Sequence, residues 1–209
     1  MSLEYVGIKG GMVILVADDP GPISSQTEQD TRHFSRFPKL PCFDPSSAQE
    51  AYEMIQEAFE YSEKYGTPVF LRPTTRVCHG YASIMVKDET EYTHHQPEGF
   101  IKDSKRWVIF PRLSFMNHKK IEARNQELSD IFSSYEKITI HPSCDAFKDS
   151  KKGIATGGIS YTYTMETLKK TGMVKTLKIA TPHPFPEKLA VDFLSGLDEV
   201  LCLEELDPV

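Results

Sequence analysis

Residues 9–36, KGGMVILVADDPGPISSQTEQDTRHFSR, constrain the fold more than any other stretch of the chain. Met12, Val13, Ile14, Leu15 and Val16 form an apolar run ending at Ala17, and Asp18-Asp19-Pro20-Gly21-Pro22 follows as a turn cluster. An unbroken apolar run bounded by turn residues predicts a strand over 12–17 covered on both faces, as in α/β proteins. Ligands of such sheets gather in the loops after the carboxyl ends of strands. Asp18, Asp19, Gly21, Ser24, Ser25, Gln26, Glu28 and Gln29 therefore sit where a polar site is expected, although the same residue types also make a solvated loop.

Downstream, Leu40-Pro41-Cys42-Phe43 is a short apolar patch whose proline keeps it from being a long central strand. Ser46 with Gln49, and Ser47 with Glu50, have capping-box spacing, so a helix opens there. Ala48, Ala51, Tyr52, Ile55, Ala58 and Phe59 recur at helical spacing as its apolar face, Gly66 supplies a left-handed cap and Pro68 forbids continuation. Residues 67–75 return as a strand, with Arg76 and His79 just beyond it. Strand, polar loop, helix and strand predict a parallel crossover unit. Asp18 and Arg76 then share one sheet edge, with Asp19, Ser24, Gln26 and His79 near them. Arg76 is equally suited to pair internally with Asp18 or Asp19.

Periodicity fades over 84–110, which reads as a linker. Lys102, Lys105, Arg106, Arg112, Lys119, Lys120 and Arg124 make the middle of the chain basic, as a solvated connector or as a dock for an acidic partner or ligand. His94 and His95 are adjacent and cannot easily face one ion, so no metal is expected there. Asn117 is positioned to cap a long helix running to about Tyr135. Strands are expected at 137–141, 152–156, 174–181 and 199–206, with helices at 160–170 and 187–194, which makes the second half a β-α-β-α-β unit of its own. Gly157-Gly158 at a strand-to-helix junction serves either an anion at the helix N-terminus or close strand–helix packing. His183 is fixed between prolines but has no nucleophile beside it to activate.

The formal charge of −6 over 209 residues argues against nucleic-acid and anionic-membrane partners. No apolar run approaches the roughly 20 residues of a transmembrane helix. Met1-Ser2-Leu3 lacks the basic start of a secretory signal, and a cytoplasmic protein is expected. Cys42, Cys78, Cys144 and Cys202 are scattered, so neither structural zinc nor an iron–sulfur cluster is supported.

Four phrases, GGMVILVADDPGPISSQTEQDTRHFSRFPKLPCFDPSSAQEA, GTPVFLRPTTRVCHG, GIATGGISYTY and EVLCLEELDPV, resemble the alpha subunits of indolepyruvate:ferredoxin oxidoreductases, within the thiamine-diphosphate-dependent 2-oxoacid:ferredoxin oxidoreductase family. The resemblance runs from Gly10 to Val209. It implies oxidative decarboxylation of arylpyruvates such as indolepyruvate, electron transfer through 4Fe-4S clusters to ferredoxin, and release of an aryl-acetyl-CoA. Magnesium would hold the thiamine diphosphate, and a beta subunit would be the partner. The implied fold class is α/β with two small parallel-sheet domains. These are the second half of a pyrimidine-binding-type domain at 4–83, a linker at 84–110, and a transketolase C-terminal-like domain at 111–209.

By the same resemblance, the sequence lacks the front half bearing the glutamate that contacts the aminopyrimidine ring. It also lacks the diphosphate-binding domain and the cysteine-rich segment. A fragment is therefore expected, binding none of these cofactors and inactive alone. The alternative is a non-catalytic two-domain scaffold for subunit assembly. A half domain leaves a sheet edge and apolar surface uncovered, which favours a homo-oligomer. The resemblance gives Arg76 the task of holding a carboxylate and His79 that of donating or relaying a proton. Ser24, Ser25, Gln26 and Gln29 become neutral donors on a loop with Asp19 and Gly21. Related pyruvate enzymes read Arg-Thr-Ser-His where this chain has Arg-Val-Cys-His.

Overall fold

A computed structural model of the protein describes residues 2–23, 25–92, 96–141 and 150–209. The expectations for Ser24, His94, His95 and Cys144 fall outside the described residues. Two sheets organise the rest. In the first, β1 (Val13–Leu15), β2 (Cys42–Phe43) and β3 (Val69–Leu71) lie in the order β1-β3-β2, all parallel. In the second, β4 (Thr139–His141), β5 (Lys152–Gly157), β6 (Lys175–Ile179) and β7 (Glu199–Leu203) lie in the order β4-β6-β5-β7. The β6-β5-β7 set is parallel and β4 runs antiparallel at the edge.

Eight helices are described: α1 (Ser2–Val6), α2 (Arg32–Arg36), α3 (Ala48–Tyr65), α4 (Thr75–Cys78), α5 (Ser104–Trp107), α6 (Pro111–Phe132), α7 (Gly158–Thr171) and α8 (Glu187–Leu194). No described helix is long and apolar enough to cross a membrane. As predicted, α3 connects parallel strands. Ser47 accepts the Glu50 amide at its start, and Gly66 closes it at φ 59°. The buried face is rotated from the expected one, however. Met54, Ala58 and Ser62 are inside while Phe59 is 45% exposed. Ser62 is drawn in because its hydroxyl accepts from Met12 N at 2.8 Å and donates to the Thr67 carbonyl at 2.7 Å, tying α3 to both neighbouring strands.

Three further expectations need correction. The strand over 12–17 is not covered on both faces: β1 is an edge strand paired only with β3, and Leu15 is 65% exposed. The strand over 67–75 ends at Leu71, because Pro73 removes a donor and α4 begins at Thr75. The long helix starts at Pro111 rather than Asn117, since proline is preorganised for the first helical turn. Asn117 lies inside α6 and donates to the Tyr5 carbonyl of α1 at 2.6 Å.

One apolar core joins the sheets. Phe43 on β2 is fully buried, edge-on to Phe132 of α6 and to Tyr135, with centroid distances of 5.7 and 5.8 Å. Met54, Ala58, Val69 and Leu71 from the first half pack in the same cluster as Leu128, Leu177, Ala180 and Phe193 from the second. The backbone is stitched at the same place, where Cys42 N donates to the His183 carbonyl at 2.7 Å and Asp44 N to the Ala180 carbonyl at 2.9 Å. Thus the free edge of β2 is met by the chain leaving β6, and the carboxyl ends of strands from both sheets converge.

Candidate functional site

At that convergence sits Arg72, the residue after β3, with a side chain only 1% exposed. A guanidinium cannot deprotonate, so burial obliges the fold to surround it with acceptors. Three strand ends contribute. Asp18, after β1, takes Arg72 Nε at 2.7 Å; Asp44, after β2, takes Nη1 at 3.3 Å; Glu205, after β7, takes Nη1 at 3.3 Å. Asp30 lies 3.8 Å from Nη2 and is itself gripped by Arg32 through Nε at 2.8 Å and Nη2 at 2.5 Å. Arg32 also reaches Glu204 at 2.5 Å and the Asp207 carbonyl at 2.9 Å. Five carboxylates, Asp18, Asp30, Asp44, Glu204 and Glu205, thereby enclose the two guanidiniums of Arg32 and Arg72. Asp18 Oδ1 still has no hydrogen-bond partner among the described residues, so the network is under-satisfied even with both arginines present.

This excess of acid sets the protonation. Burial pushes Glu205 up to about 7, reinforced by the Asp44 charge and only partly opposed by Arg72 and Arg32. Burial likewise raises Asp44 against the pull of the same arginines. At Asp30 burial works upward too, but the Arg32 hydrogen bonds and charge outweigh it and hold the carboxyl below its ordinary range. Asp44 also resolves the role of the glycine pair. Gly158 opens α7 at φ 49°, and a methyl group there would stand 3.0 and 3.2 Å from the Asp44 oxygens. The Asp44 carboxylate thus lies beside this helix N-terminus, and its close approach requires a residue without a side chain. Gly158→Ala is expected to cost about 1–2 kcal/mol through the left-handed backbone alone, visible as a lowered thermal midpoint.

The polar loop expected after β1 is built on two aspartates. Asp18 Oδ2 accepts from Thr31 N at 2.8 Å and from Thr31 Oγ1 at 2.9 Å. Asp19 accepts from Ser25 N at 2.7 Å and from Thr75 Oγ1, at the start of α4, at 2.6 Å. The loop and α4 are therefore joined as the crossover predicted, but by Thr75. The internal partner of Asp18 is Arg72, not Arg76. Arg76 and His79 are exposed and make no side-chain hydrogen bond or ion pair to the described residues. Gly21 turns the loop at φ 68°, Gln26 is exposed, and Gln29 Nε2 reaches Ser25 Oγ at 3.5 Å.

Two buried reactive side chains are quenched. The Cys42 thiol is buried and pushed up to about 12, chiefly by desolvation, so it is not a nucleophile at neutral pH. His183 is lowered to about 4 by burial and by the charges of Arg36, Lys39 and Arg124, and stays neutral with Nε2 3.3 Å from Asn125 Nδ2. Asp30, His33 and Asp207 bring ligand atoms within 4.8 Å of one another, but both Asp30 oxygens are engaged by Arg32. Arg32, Asp30, Asp44, Arg72 and Glu205 were not expected at the site. The signal was an arginine between Leu71 and Pro73 at the end of an apolar run, where a buried cation requires acids at neighbouring strand ends.

No family model matches the chain. It is 39% identical over 211 residues to indolepyruvate oxidoreductase subunit IorA of Methanothermobacter thermautotrophicus, covering 100% of this chain and 33% of that protein. The IorA of Pyrococcus abyssi is 39% identical over 214 residues, with 100% and 32% covered. That of Archaeoglobus fulgidus is 34% identical over 210 residues, with 99% and 32% covered. The chain therefore spans about a third of the length of the curated relatives it matches. Among solved structures, it superposes on a 2-oxoglutarate:ferredoxin oxidoreductase from Magnetococcus marinus, determined with 2-oxoglutarate, coenzyme A and succinyl-CoA bound. The TM-score is 0.61 at 13% identity, over 96% of this chain and 42% of that one, a likeness of fold.

Proposed function

Because the chain is related along its whole length to about one third of the indolepyruvate oxidoreductase subunit IorA, we propose that it forms one wall of a 2-oxoacid:ferredoxin oxidoreductase active site. In this reading 4–83 is the second half of a pyrimidine-binding-type unit, 84–110 a linker and 111–209 a transketolase C-terminal-like unit. The complete cytoplasmic enzyme oxidatively decarboxylates arylpyruvates to aryl-acetyl-CoA with a beta subunit, ferredoxin and CoA. Its thiamine diphosphate, magnesium and 4Fe-4S clusters depend on segments beyond this chain, which is inactive alone.

The observation that carries the reading, beside the identity, is how the charges at the strand ends divide. Arg72 and Arg32 are ion-paired internally, whereas Arg76 on α4 and His79 just after it stand exposed, joined through Thr75 to the loop of Asp19. Donors unpaired among the described residues, beside a polar loop, fit a ligand bearing a carboxylate and a carbonyl. When bound, thiamine diphosphate supplies the carbanion chemistry of decarboxylation. Arg76 holds the substrate carboxylate through a two-pronged contact, which arginine geometry favours. His79 donates a proton or hydrogen bond, and Ser25, Gln26 and Gln29 orient the polar groups. Asp19 holds the loop in place by accepting the Ser25 amide.

In the complete enzyme, Arg76→Ala is expected to lower kcat/KM at least about tenfold, with subunit association intact. Unchanged turnover with failed association would instead favour the non-catalytic scaffold. That second reading draws on the exposed apolar side chains of the linker, among them Met85 and Phe100, at 84% and 82% exposure. In calorimetry of the 209-residue chain, thiamine diphosphate with Mg²⁺ should bind no more tightly than inorganic pyrophosphate with Mg²⁺, the thiamine rings adding nothing. Tighter binding of thiamine diphosphate would overturn the view that essential cofactor contacts lie elsewhere.

A further inference from the structure

The amino-end side of the first sheet carries a second concave surface. A groove of about 760 Å³ runs between α1, the C-terminal end of α3, α5 and α6. It adjoins Gly66, just ahead of β3, so it lies at the opposite end of that sheet from Asp18, Asp44 and Arg72. This volume lies within the range of pockets that hold small organic ligands. Its walls bring together cations from three helices, Lys64 of α3, Lys105 and Arg106 of α5, and Lys120 and Arg124 of α6, in a chain whose net charge is −6.

The pairing within the groove shows which charges are available. Arg124 is engaged by Glu4 at 2.5 Å, and Arg106 donates to the Ile8 carbonyl at 3.1 Å and covers the Trp107 ring. Three acids, Glu4, Asp103 and Glu127, also line the groove and are outnumbered by the five cations. Glu4 additionally accepts from Thr67, Asp103 caps α5 through the Lys105 amide, and Glu127 accepts from Tyr65. Lys105 and Lys120 have no side-chain hydrogen bond or ion pair to any described residue, and Lys64 lies over the Tyr65 ring at 5.1 Å and interacts with the Tyr65 hydroxyl. Ammonium groups on flexible stems act as point charges and suit phosphate. Cations spread over three helices need several anionic groups to be met together, more than a single carboxylate offers.

We propose that the groove between α1, α3, α5 and α6 binds a small molecule bearing a polyphosphate group, held by Lys64, Lys105 and Lys120. The proposal is independent of the thiamine-enzyme reading, since the groove shares none of the residues assigned to that site. Titration calorimetry of the 209-residue protein with sodium tripolyphosphate and, separately, with ATP tests it. Saturable binding is expected, weakened roughly tenfold or more in Lys105→Gln/Lys120→Gln and weakened by added salt. Tighter binding of ATP would assign the ligand to the nucleotides, with Tyr5 or Tyr65 against the base; equal binding would assign inorganic polyphosphate. No saturable binding of either probe would overturn the proposal. So would full affinity in the double variant, once circular dichroism shows that it is folded.

Discussion

Arg72→Met is expected to reduce the free energy of unfolding by about 3–5 kcal/mol at pH 8, a loss comparable to the whole stability of many domains. Methionine is close to arginine in length and volume, so the cost is not chiefly one of volume. It comes from the carboxylates left behind. Asp18, Asp44 and Glu205 lose the guanidinium now 2.7, 3.3 and 3.3 Å away and remain buried among one another. Replacing an entire buried ionic network by apolar residues can be neutral, but removing one partner is not. The deficit should shrink on acidification, because protonating the stranded carboxyls removes the charge that the arginine balanced. Urea denaturation of the variant and its parent at alkaline and acidic pH measures both effects. Equal midpoints at pH 8 would sink the account.

The second large effect is a gain. Glu205 has an ordinary value of 4.5 and is raised to about 7 in the fold, first by burial and then by Asp44. A group that holds its proton more tightly when folded favours folding while the unfolded chain is losing that proton. Below about pH 4.5 both states are protonated and the favourable term is complete; it declines as pH rises towards about 7 and is gone above it. The shift corresponds to about 3 kcal/mol. Glu205→Gln should therefore flatten this decline and be more stable than the parent at pH 8, even though it weakens a contact to Arg72. Asp44, also raised, adds a decline of the same sign, whereas Asp30, held low by Arg32, contributes stability that is lost as pH falls. If the variant keeps the full slope of the parent, Glu205 is not its source.

How much of this was legible in the residues depends on the range of the interactions. Capping by Ser47 and Gly66 is local, and the sequence alone located both ends of α3. Which face of α3 turned inward was not legible, because Ser62 is buried through bonds to Met12 and Thr67 on other elements. The apolar run of β1 read as a strand covered on both faces, yet whether a strand has neighbours on both sides is decided by pairing partners, and among the described residues β1 pairs with β3 alone. At the site, the polar loop and its nearness to the segment after β3 were foreseen, but α4 was not, and Arg76 was offered as a partner for Asp18 while Arg72 held that place. Arg72 is separated from Asp18 by 54 positions and from Glu205 by 133, so their meeting is a property of the converging strand ends.

Phe43 sits between Met54 and Val69 of one half and Phe132 and Phe193 of the other, in one cluster. The segment over 81–92 and 96–110 is almost wholly exposed and looks like a natural place to divide the chain. Dividing it there would open the core on both pieces, turning a single dry interior into two wet apolar faces. The two sheets share one interior, and the exposed segment is a strap between them rather than a seam.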